Sequence, residues 1–153
     1  MADKEFAWRL AAELVRIEST DPGCYEERIE AHLKELVAER VAALPHELAE
    51  HIEVRELDVL PGRRDLMVRV PGTGPEAALV YSCHMDTVTI GDGWSEATPP
   101  LEGRVVDDRL YGRGACDMKS GLACAVAALF SLLDRMAETG EFPRREFSAS
   151  VGG

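Results

Sequence analysis

The feature of this chain that most constrains its fold is a nearly unbroken apolar segment, "AALVYSC", which stops at His84. A short apolar run of this kind is typical of a β-strand that is covered on both faces. Alternation along such a strand places His84 and Asp86 on one face and Cys83 and Met85 on the other. We therefore expect a central strand whose carboxyl end presents a histidine and an aspartate.

The rest of the pattern predicts helices before and after a sheet. Apolar residues at helical spacing predict helices over residues 4–17 and 25 to about 43. The segments that follow predict two strands and a short hairpin, in "HIEVRELDVL", "DLMVRV" and "GRVVDDRLYG". A helix that is apolar nearly all round, from residue 119 to about 138, should lie buried against the sheet. The sequence thus predicts a layered α/β/α domain with a mixed central sheet.

The overall charge narrows the classes of partner. The chain has 153 residues, with 28 acidic against 17 basic side chains and a net charge of -11. Such a balance argues against a nucleic-acid partner and against anionic membrane surfaces. The start of the chain lacks a signal-peptide core, and the longest apolar run, residues 121–133, is shorter than the ~20 residues of a membrane span. We expect a cytoplasmic protein whose four cysteines are reduced.

The polar residues at the end of the apolar strand allow two interpretations. Open α/β sheets bind ligands at the carboxyl ends of their strands. His84 could therefore ligate a metal ion there, with Asp86 orienting its ring. Alternatively, both side chains simply leave the core and meet water. The pair alone leaves both interpretations open.

A second cluster of interest is "YGRGACDMKSG", which precedes the apolar helix. Gly112 and Gly114 permit a backbone path that other residues resist. Asp117 could cap the first turn of the helix, but a cap does not explain its clustering with Arg113 and Lys119. Phosphate binding is disfavoured, because the segment fits neither glycine-rich phosphate pattern and an aspartate repels phosphate. A carboxylate beside a cation-binding site is the better interpretation.

Taken together, "HMDTV", "GDGW" and "RLYGRGACDMKSG" resemble the signature of the clan MH metallopeptidases and deacylases. This family includes acetylornithine deacetylase, succinyl-diaminopimelate desuccinylase, aminoacylase and glutamate carboxypeptidase. The separation of 33 residues between His84 and Asp117 suits the family, and "LVRIESTDPG" resembles its usual opening. The resemblance implies a zinc-aminopeptidase-like fold. It also implies that His84 ligates one metal ion, that Asp117 bridges two, and that Asp86 is the catalytic residue that clamps and polarises the His84 imidazole.

The same resemblance implies a cofactor and a reaction. Members of the family use two divalent metal ions, most often zinc with cobalt as the alternative, to activate a water that attacks an amide carbonyl. The implied substrate is a peptide or an N-acyl amino acid, and the full-length form is expected to be a homodimer. Thr89 and Ser120 depart from residues common in the family, but neither is an implied ligand.

The implied site is incomplete in this sequence. The family's Glu-Glu pair, its further acidic ligand, its distant histidine and its inserted dimerisation domain are missing, and "SASVGG" is more weakly patterned than the expected next strand. Catalytic zinc usually has about three protein ligands, whereas His84 and Asp117 are two. We expect residues 1–153 to be the amino-terminal part of a catalytic metallohydrolase domain, truncated before the later strands. We expect it to be inactive alone and to expose an unpaired sheet edge.

Two other interpretations compete with this one. A non-catalytic α/β module that acts by self-association or protein interaction fits the same elements. A thiol or zinc-thiolate site formed by Cys83 and Cys116 beside His84 is disfavoured, because strand alternation turns Cys83 away from His84 and buried cysteine is usually inert packing.

Overall fold

The computed structural model describes residues 3–153. The helices are α1 (Lys4–Arg16), α2 (Glu27–Ala42), α3 (His46–Ala49) and α4 (Ser120–Thr139). The strands are β1 (Glu53–Leu60), β2 (Arg63–Val70), β3 (Leu79–His84), β4 (Arg104–Val106), β5 (Arg109–Tyr111) and β6 (Phe147–Gly152). The predicted helices and strands lie within a few residues of these bounds, because each follows from local hydrophobic periodicity.

The main sheet is mixed, as predicted. Its four strands lie in the order β1-β2-β6-β3. Strand β2 is antiparallel to both β1 and β6, whereas β3 is parallel to β6. Strands β4 and β5 form the predicted separate hairpin, in which Asp107 and Asp108 have positive φ values of 49° and 57°. That pair of backbone angles is the one that tight two-residue hairpin turns require.

Strand β6 corrects one expectation. The segment containing "SASVGG" is more weakly patterned than the apolar strand expected next in the chain, yet it forms that strand and lies inside the sheet between β2 and β3. Its alternate residues Phe147, Ala149 and Val151 are buried, while Ser148 and Ser150 between them are half-buried. Within residues 3–153 the side chains of β6 that belong to the core all lie on one face of the strand, so every second residue suffices to fill it.

Strand β3 corrects a second expectation. The apolar run was predicted to be a central strand covered on both faces, but β3 lies at the edge of the sheet. Val80 is 61% exposed and Leu79 is 47% exposed. The composition of a strand indicates how much apolar surface it can bury. How much it does bury depends on which elements lie beside it. Among residues 3–153 the only strand paired with β3 is β6, so β3 is an unpaired edge of the sheet, as β1 is at the other end.

A single hydrophobic core joins the helices to one face of the sheet. It contains Leu10 and Leu14 of α1, Leu33 of α2, Leu66 and Val68 of β2, Cys83 of β3, Leu122, Leu129 and Leu133 of α4, and Phe147 and Ala149 of β6. Burial of these side chains is the main source of stability. The core leaves the carboxyl ends of the parallel strands β3 and β6 facing the loops.

The segment Ala115–Thr139 is long and apolar enough to cross a membrane by length and composition. The same test is passed by the core helix of a globular domain. In this structure Leu122, Leu129 and Leu133 of that segment belong to the core on the sheet, as predicted for a helix buried against it.

Candidate metal centre

His84 is positioned by the end of the parallel strand pair. It lies opposite Gly152 at the last position of β3, and the backbone N–H of Met85 donates to the Gly152 carbonyl at 2.6 Å. Cys83 and Met85 are buried on either side of it, so the His84 side chain is turned to the opposite face, where it is 40% exposed. The predicted alternation is therefore confirmed.

Asp86 lies against the inner nitrogen of the His84 ring. His84 Nδ1 is 3.1 Å from the backbone oxygen of Asp86 and 3.2 Å from its Oδ1 atom. A proton on Nδ1 donated to Asp86 leaves the lone pair on Nε2, which points away from the strand. The catalytic role that the resemblance implies for Asp86 stays a prediction.

Asp117 approaches the same ring from the second motif. It lies in an irregular turn, Ala115–Lys119, and has non-helical backbone angles of φ −128° and ψ 97°. Its Oδ1 atom is 2.9 Å from His84 Nε2. The side chain is 87% exposed, and the first turn of α4 has no side-chain cap. The cap interpretation of Asp117 is therefore wrong, since its carboxylate is turned to His84.

The two sequence motifs meet in one pocket of about 250 Å³. His84 and residues 86–88 form one wall and residues 112–117 form the other. His84, Asp86 and Asp117 all line it. Two segments that are distant in sequence thus bring an imidazole nitrogen and a carboxylate oxygen to the same cavity.

The protonation of His84 reflects its two acidic neighbours. Burial alone lowers the pKa of the imidazole, but the hydrogen bond to Asp117, the backbone bond to Asp86 and the charges of both carboxylates outweigh it. The net pKa of His84 is therefore raised above its ordinary value. The site favours positive charge.

The donor types fit a zinc or cobalt ion. Both metals accept imidazole nitrogen and carboxylate oxygen as ligands, and the exposed carboxylate of Asp117 is accessible from the pocket. Within residues 3–153, no group of three or more His, Cys, Asp or Glu side chains is arranged to hold a metal ion. The described chain thus contributes a pair of donors, and the metal-ligating roles of His84 and Asp117 stay predictions.

The cysteines do not join this site in the way that a thiolate centre requires. Burial raises the pKa of the Cys83 thiol, which disfavours the thiolate that metals bind. Cys116 lines the pocket, but it belongs to the wall formed by residues 112–117, whereas Cys83 and His84 belong to β3. The structure gives no support to a site built from Cys83, Cys116 and His84.

Sequence reasoning missed the residues that support the pocket. The Arg113 guanidinium donates to the Ile90 carbonyl at 2.6 Å and stacks over the Trp94 ring at 5.5 Å. Trp94 Nε1 donates to the same carbonyl at 2.9 Å. These contacts hold the loop that contains "GDGW". The signal was the presence of both residues in the quoted motifs, but their pairing is not visible in the sequence.

Comparison with solved structures defines the class of fold first. The chain superposes on an M20 family metallo-carboxypeptidase from Sulfolobus solfataricus with a TM-score of 0.69 and 18% identity, covering 99% of this chain and 31% of that one. It also matches a dinuclear metal-binding peptidase of the M20 family from Bacillus subtilis, with a TM-score of 0.55 and 15% identity over 97% of this chain and 36% of that one. The mixed α/β fold is therefore that of metallopeptidase domains, as predicted.

Sequence comparison then identifies the family. Residues 80–141, which contain both motifs, match the peptidase family M20/M25/M40. The chain is 42% identical over 87 residues to a succinyl-diaminopimelate desuccinylase of Rhodospirillum rubrum, covering 57% of this chain and 21% of that protein. It is 38% identical over 130 residues to one of Methylobacterium radiotolerans, covering 84% of this chain and 30% of that protein. The segment that carries both motifs therefore matches the M20 peptidase family, and the resemblance seen in the motifs is confirmed.

The chain spans less than a third of the length of these two curated relatives.

Proposed function

We propose that this chain contributes part of the metal centre of an enzyme that hydrolyses amide bonds. The observation that carries the proposal is the meeting of His84 Nε2 and Asp117 Oδ1 at 2.9 Å. These atoms come from two motifs that both lie within the family match. In this proposal His84 ligates one divalent ion and Asp117 bridges two, with zinc as the preferred metal and cobalt as the alternative.

The residues of the chain have separate tasks in this site. Asp86 holds His84 Nδ1 and so directs the Nε2 lone pair into the pocket. Asp117 offers an exposed carboxylate at the opposite wall. Bound divalent ions would supply a water of lowered pKa and a Lewis acid for the amide carbonyl. His84 Nε2 and Asp117 Oδ1, the two proposed metal-ligating atoms, are hydrogen-bonded to each other. Loss of this hydrogen bond is therefore the expected sign that metal has bound.

The proposed substrate class is an N-acylated amino acid. Sequence similarity supports this class, because the relatives described above are succinyl-diaminopimelate desuccinylases. The structural neighbours are too distant in sequence to select between this class and peptides. The complete enzyme is proposed to act as a homodimer on such small molecules.

We further propose that residues 1–153 form the amino-terminal part of the catalytic domain and are inactive alone. Two protein ligands are fewer than the about three that a catalytic zinc ion usually has. Acid–base catalysis also needs a group within hydrogen-bond reach of the activated water. Among the described residues no third acidic, histidine or cysteine side chain is placed to hold a metal ion together with this pair.

Titration of the purified chain with Co²⁺, followed by calorimetry and visible absorption, tests the metal site. We expect saturable binding that His84→Ala and Asp117→Ala each weaken by at least about 10-fold, the scale on which a ligand shell affects metal affinity. His51→Ala and Asp58→Ala are matched controls, because both residues are exposed and lie outside the pocket. Absence of binding, or equal binding by all four variants, would contradict the proposal.

Incubation of the Zn²⁺- and Co²⁺-loaded chain with N-succinyl amino acids and dipeptides tests its activity. We expect no hydrolysis above the rate of the metal salt alone. Hydrolysis that His84→Ala abolishes would disprove the inactivity of the chain while supporting the reaction class.

A second candidate is a non-catalytic module that self-associates through its sheet edge. The exposed Leu79 and Val80 on the unpaired strand β3 favour it, because such edges pair readily with other strands. Sedimentation of the chain with and without a chelator distinguishes the two candidates. Association that is independent of metal, in a chain that binds no Co²⁺, would favour the module.

A further inference from the structure

Lys119 is enclosed to a degree that is unusual for lysine. It is 1% exposed, although it lies two positions after the exposed Asp117. An ammonium group loses its hydration on burial, so buried lysines need a hydrogen-bond partner. The Nζ atom donates to the backbone oxygen of Ile17 at 2.7 Å. Ile17 is the residue that follows α1.

The segment that follows α1 is bound to the residues that follow His84. The buried Ser19 hydroxyl donates to the Met85 carbonyl at 2.7 Å. The Thr87 N–H donates to the Ser19 carbonyl at 2.8 Å, and the Asp21 N–H donates to the Thr87 carbonyl at 2.8 Å. Residues 17–21 therefore run alongside residues 85–87, which include Asp86.

The aliphatic part of Lys119 is packed just as closely. The Lys119 N–H donates to the Gly114 carbonyl at 2.9 Å, which closes the turn that carries Asp117. A Cβ atom at Gly114 would lie 3.3 Å from Lys119 Cδ and 2.4 Å from Thr87 Cγ2. Gly114 also has a φ of +78°, which favours glycine. The two walls of the pocket thus touch at Gly114, Thr87 and the Lys119 stem.

We propose that Lys119 is a positioning residue that sets the separation of His84 and Asp117. Its backbone closes the Asp117 turn, while its ammonium group ties that turn to residues 17–21, which hold the backbone just after His84. Site residues need to be held to about 0.5 Å for function, and this connection supplies that restraint from behind the pocket. The inference rests on the proposed function, because it assigns Lys119 a role toward the same metal site.

The test compares Lys119→Met with Leu133→Ala. The first change keeps most of the stem and removes the donor, whereas the second removes buried volume in the carboxyl-terminal half of α4, away from the pocket. We expect Lys119→Met to weaken Co²⁺ binding about 10-fold and to alter the visible spectrum of bound Co²⁺. Leu133→Ala should lower the melting temperature while leaving both unchanged. A melting-temperature loss in Lys119→Met with unaltered Co²⁺ affinity and spectrum would overturn the inference.

Ser19→Ala provides a second arm, since Ser19 holds the other end of the same connection. We expect it to weaken Co²⁺ binding about 3-fold. The double variant should lose less than the product of the single losses, because both changes act through residues 17–21. Strictly multiplicative losses would contradict a shared connection.

A metal-free measurement separates this inference from the proposed function. The ¹⁵N chemical shift of His84 Nε2 reports its bond to Asp117 without any metal. We expect this shift to move in Lys119→Met and to stay unchanged in Leu133→Ala. If the wild type binds no Co²⁺, the proposed function is disproved. An unmoved His84 shift in Lys119→Met would overturn the positioning role itself.

Discussion

The two faces of the main sheet differ in what they contribute. On the covered face, Val68 and Ala149 are buried under the helices. On the other face, Ser148 and Ser150 are half-buried and Val80 is 61% exposed. The candidate site lies where this open face reaches the carboxyl end of β3. Stability and chemistry are therefore located on different sides of the same strands, and each should respond to its own set of substitutions.

The largest expected effect comes from the covered face. Leu14 of α1 is completely buried in the core, so Leu14→Ala should lower the free energy of unfolding by about 2–5 kcal/mol. Val80→Ala is the matched control on the open side of the sheet and should change it by less than about 0.5 kcal/mol. Urea denaturation of both variants measures the difference. Similar losses would show that the two faces are equally important for stability.

A smaller effect is expected from the ion pairs beside the sheet end. Glu26 is buried and accepts from Arg63 Nε at 2.9 Å, while Arg63 Nη1 donates to Asp21 at 2.9 Å. Glu26→Gln should lower the free energy of unfolding by about 1–3 kcal/mol, because it removes the negative charge that balances the poorly hydrated Arg63 guanidinium.

Asp58→Asn is the control for Glu26→Gln, since the exposed pair of Asp58 and Arg64 should contribute less than about 1 kcal/mol. Denaturation in urea at neutral pH compares the two. An equal cost would show that burial does not strengthen the Glu26 pair.

The pH dependence of stability should reveal the titration of the buried Lys119 side chain. Burial lowers the pKa of Lys119 from 10.5 to about 8. Between about pH 8 and 10.5 the unfolded chain holds this proton and the folded chain does not, so the contribution of Lys119 to stability rises with pH. Below pH 8 the buried charge is a penalty on the folded state.

Lys119→Met removes this titration, so the variant is the reference against which the wild type is compared. The free energy of unfolding of the wild type should gain on the order of 1–2 kcal/mol relative to the variant across this interval. Urea denaturation of both proteins at several pH values measures it. A constant difference between them from pH 8 to 10.5 would contradict the lowered pKa.

The smallest effect on stability is expected at the exposed edge. Val80→Lys should change the free energy of unfolding by less than about 0.5 kcal/mol. A lysine on an edge strand opposes strand pairing between molecules, so self-association of the chain should fall. Sedimentation velocity measures the change. Unaltered association in Val80→Lys would mean that copies meet through another surface.

Much of the candidate site followed from local pattern. Strand alternation put His84 and Asp86 on the face opposite Cys83 and Met85, and the structure confirms it. The second motif pointed to Asp117 as a carboxylate beside a cation site. The pattern did not show that Asp117 turns to His84 and leaves α4 without a side-chain cap, because both uses are compatible with the same position before a helix.

The supporting contacts could not be predicted in this way. Lys119 reaches Ile17 across 102 positions of sequence, and Ser19 reaches Met85 across 66. Such contacts depend on how α1, β3 and the Asp117 turn pack together. No local period in the sequence encodes that arrangement.

By itself, the sequence determined the positions of the helices and strands other than α3, the hairpin of β4 and β5, and the identities of the candidate ligands. These follow from backbone geometry, which repeats over a few residues and leaves a readable period. Only the tertiary structure decided that β6 lies inside the sheet and β3 at its edge, and that two distant motifs share one pocket. Strand order and pocket assembly are settled by the sum of many weak long-range contacts, which no single segment carries.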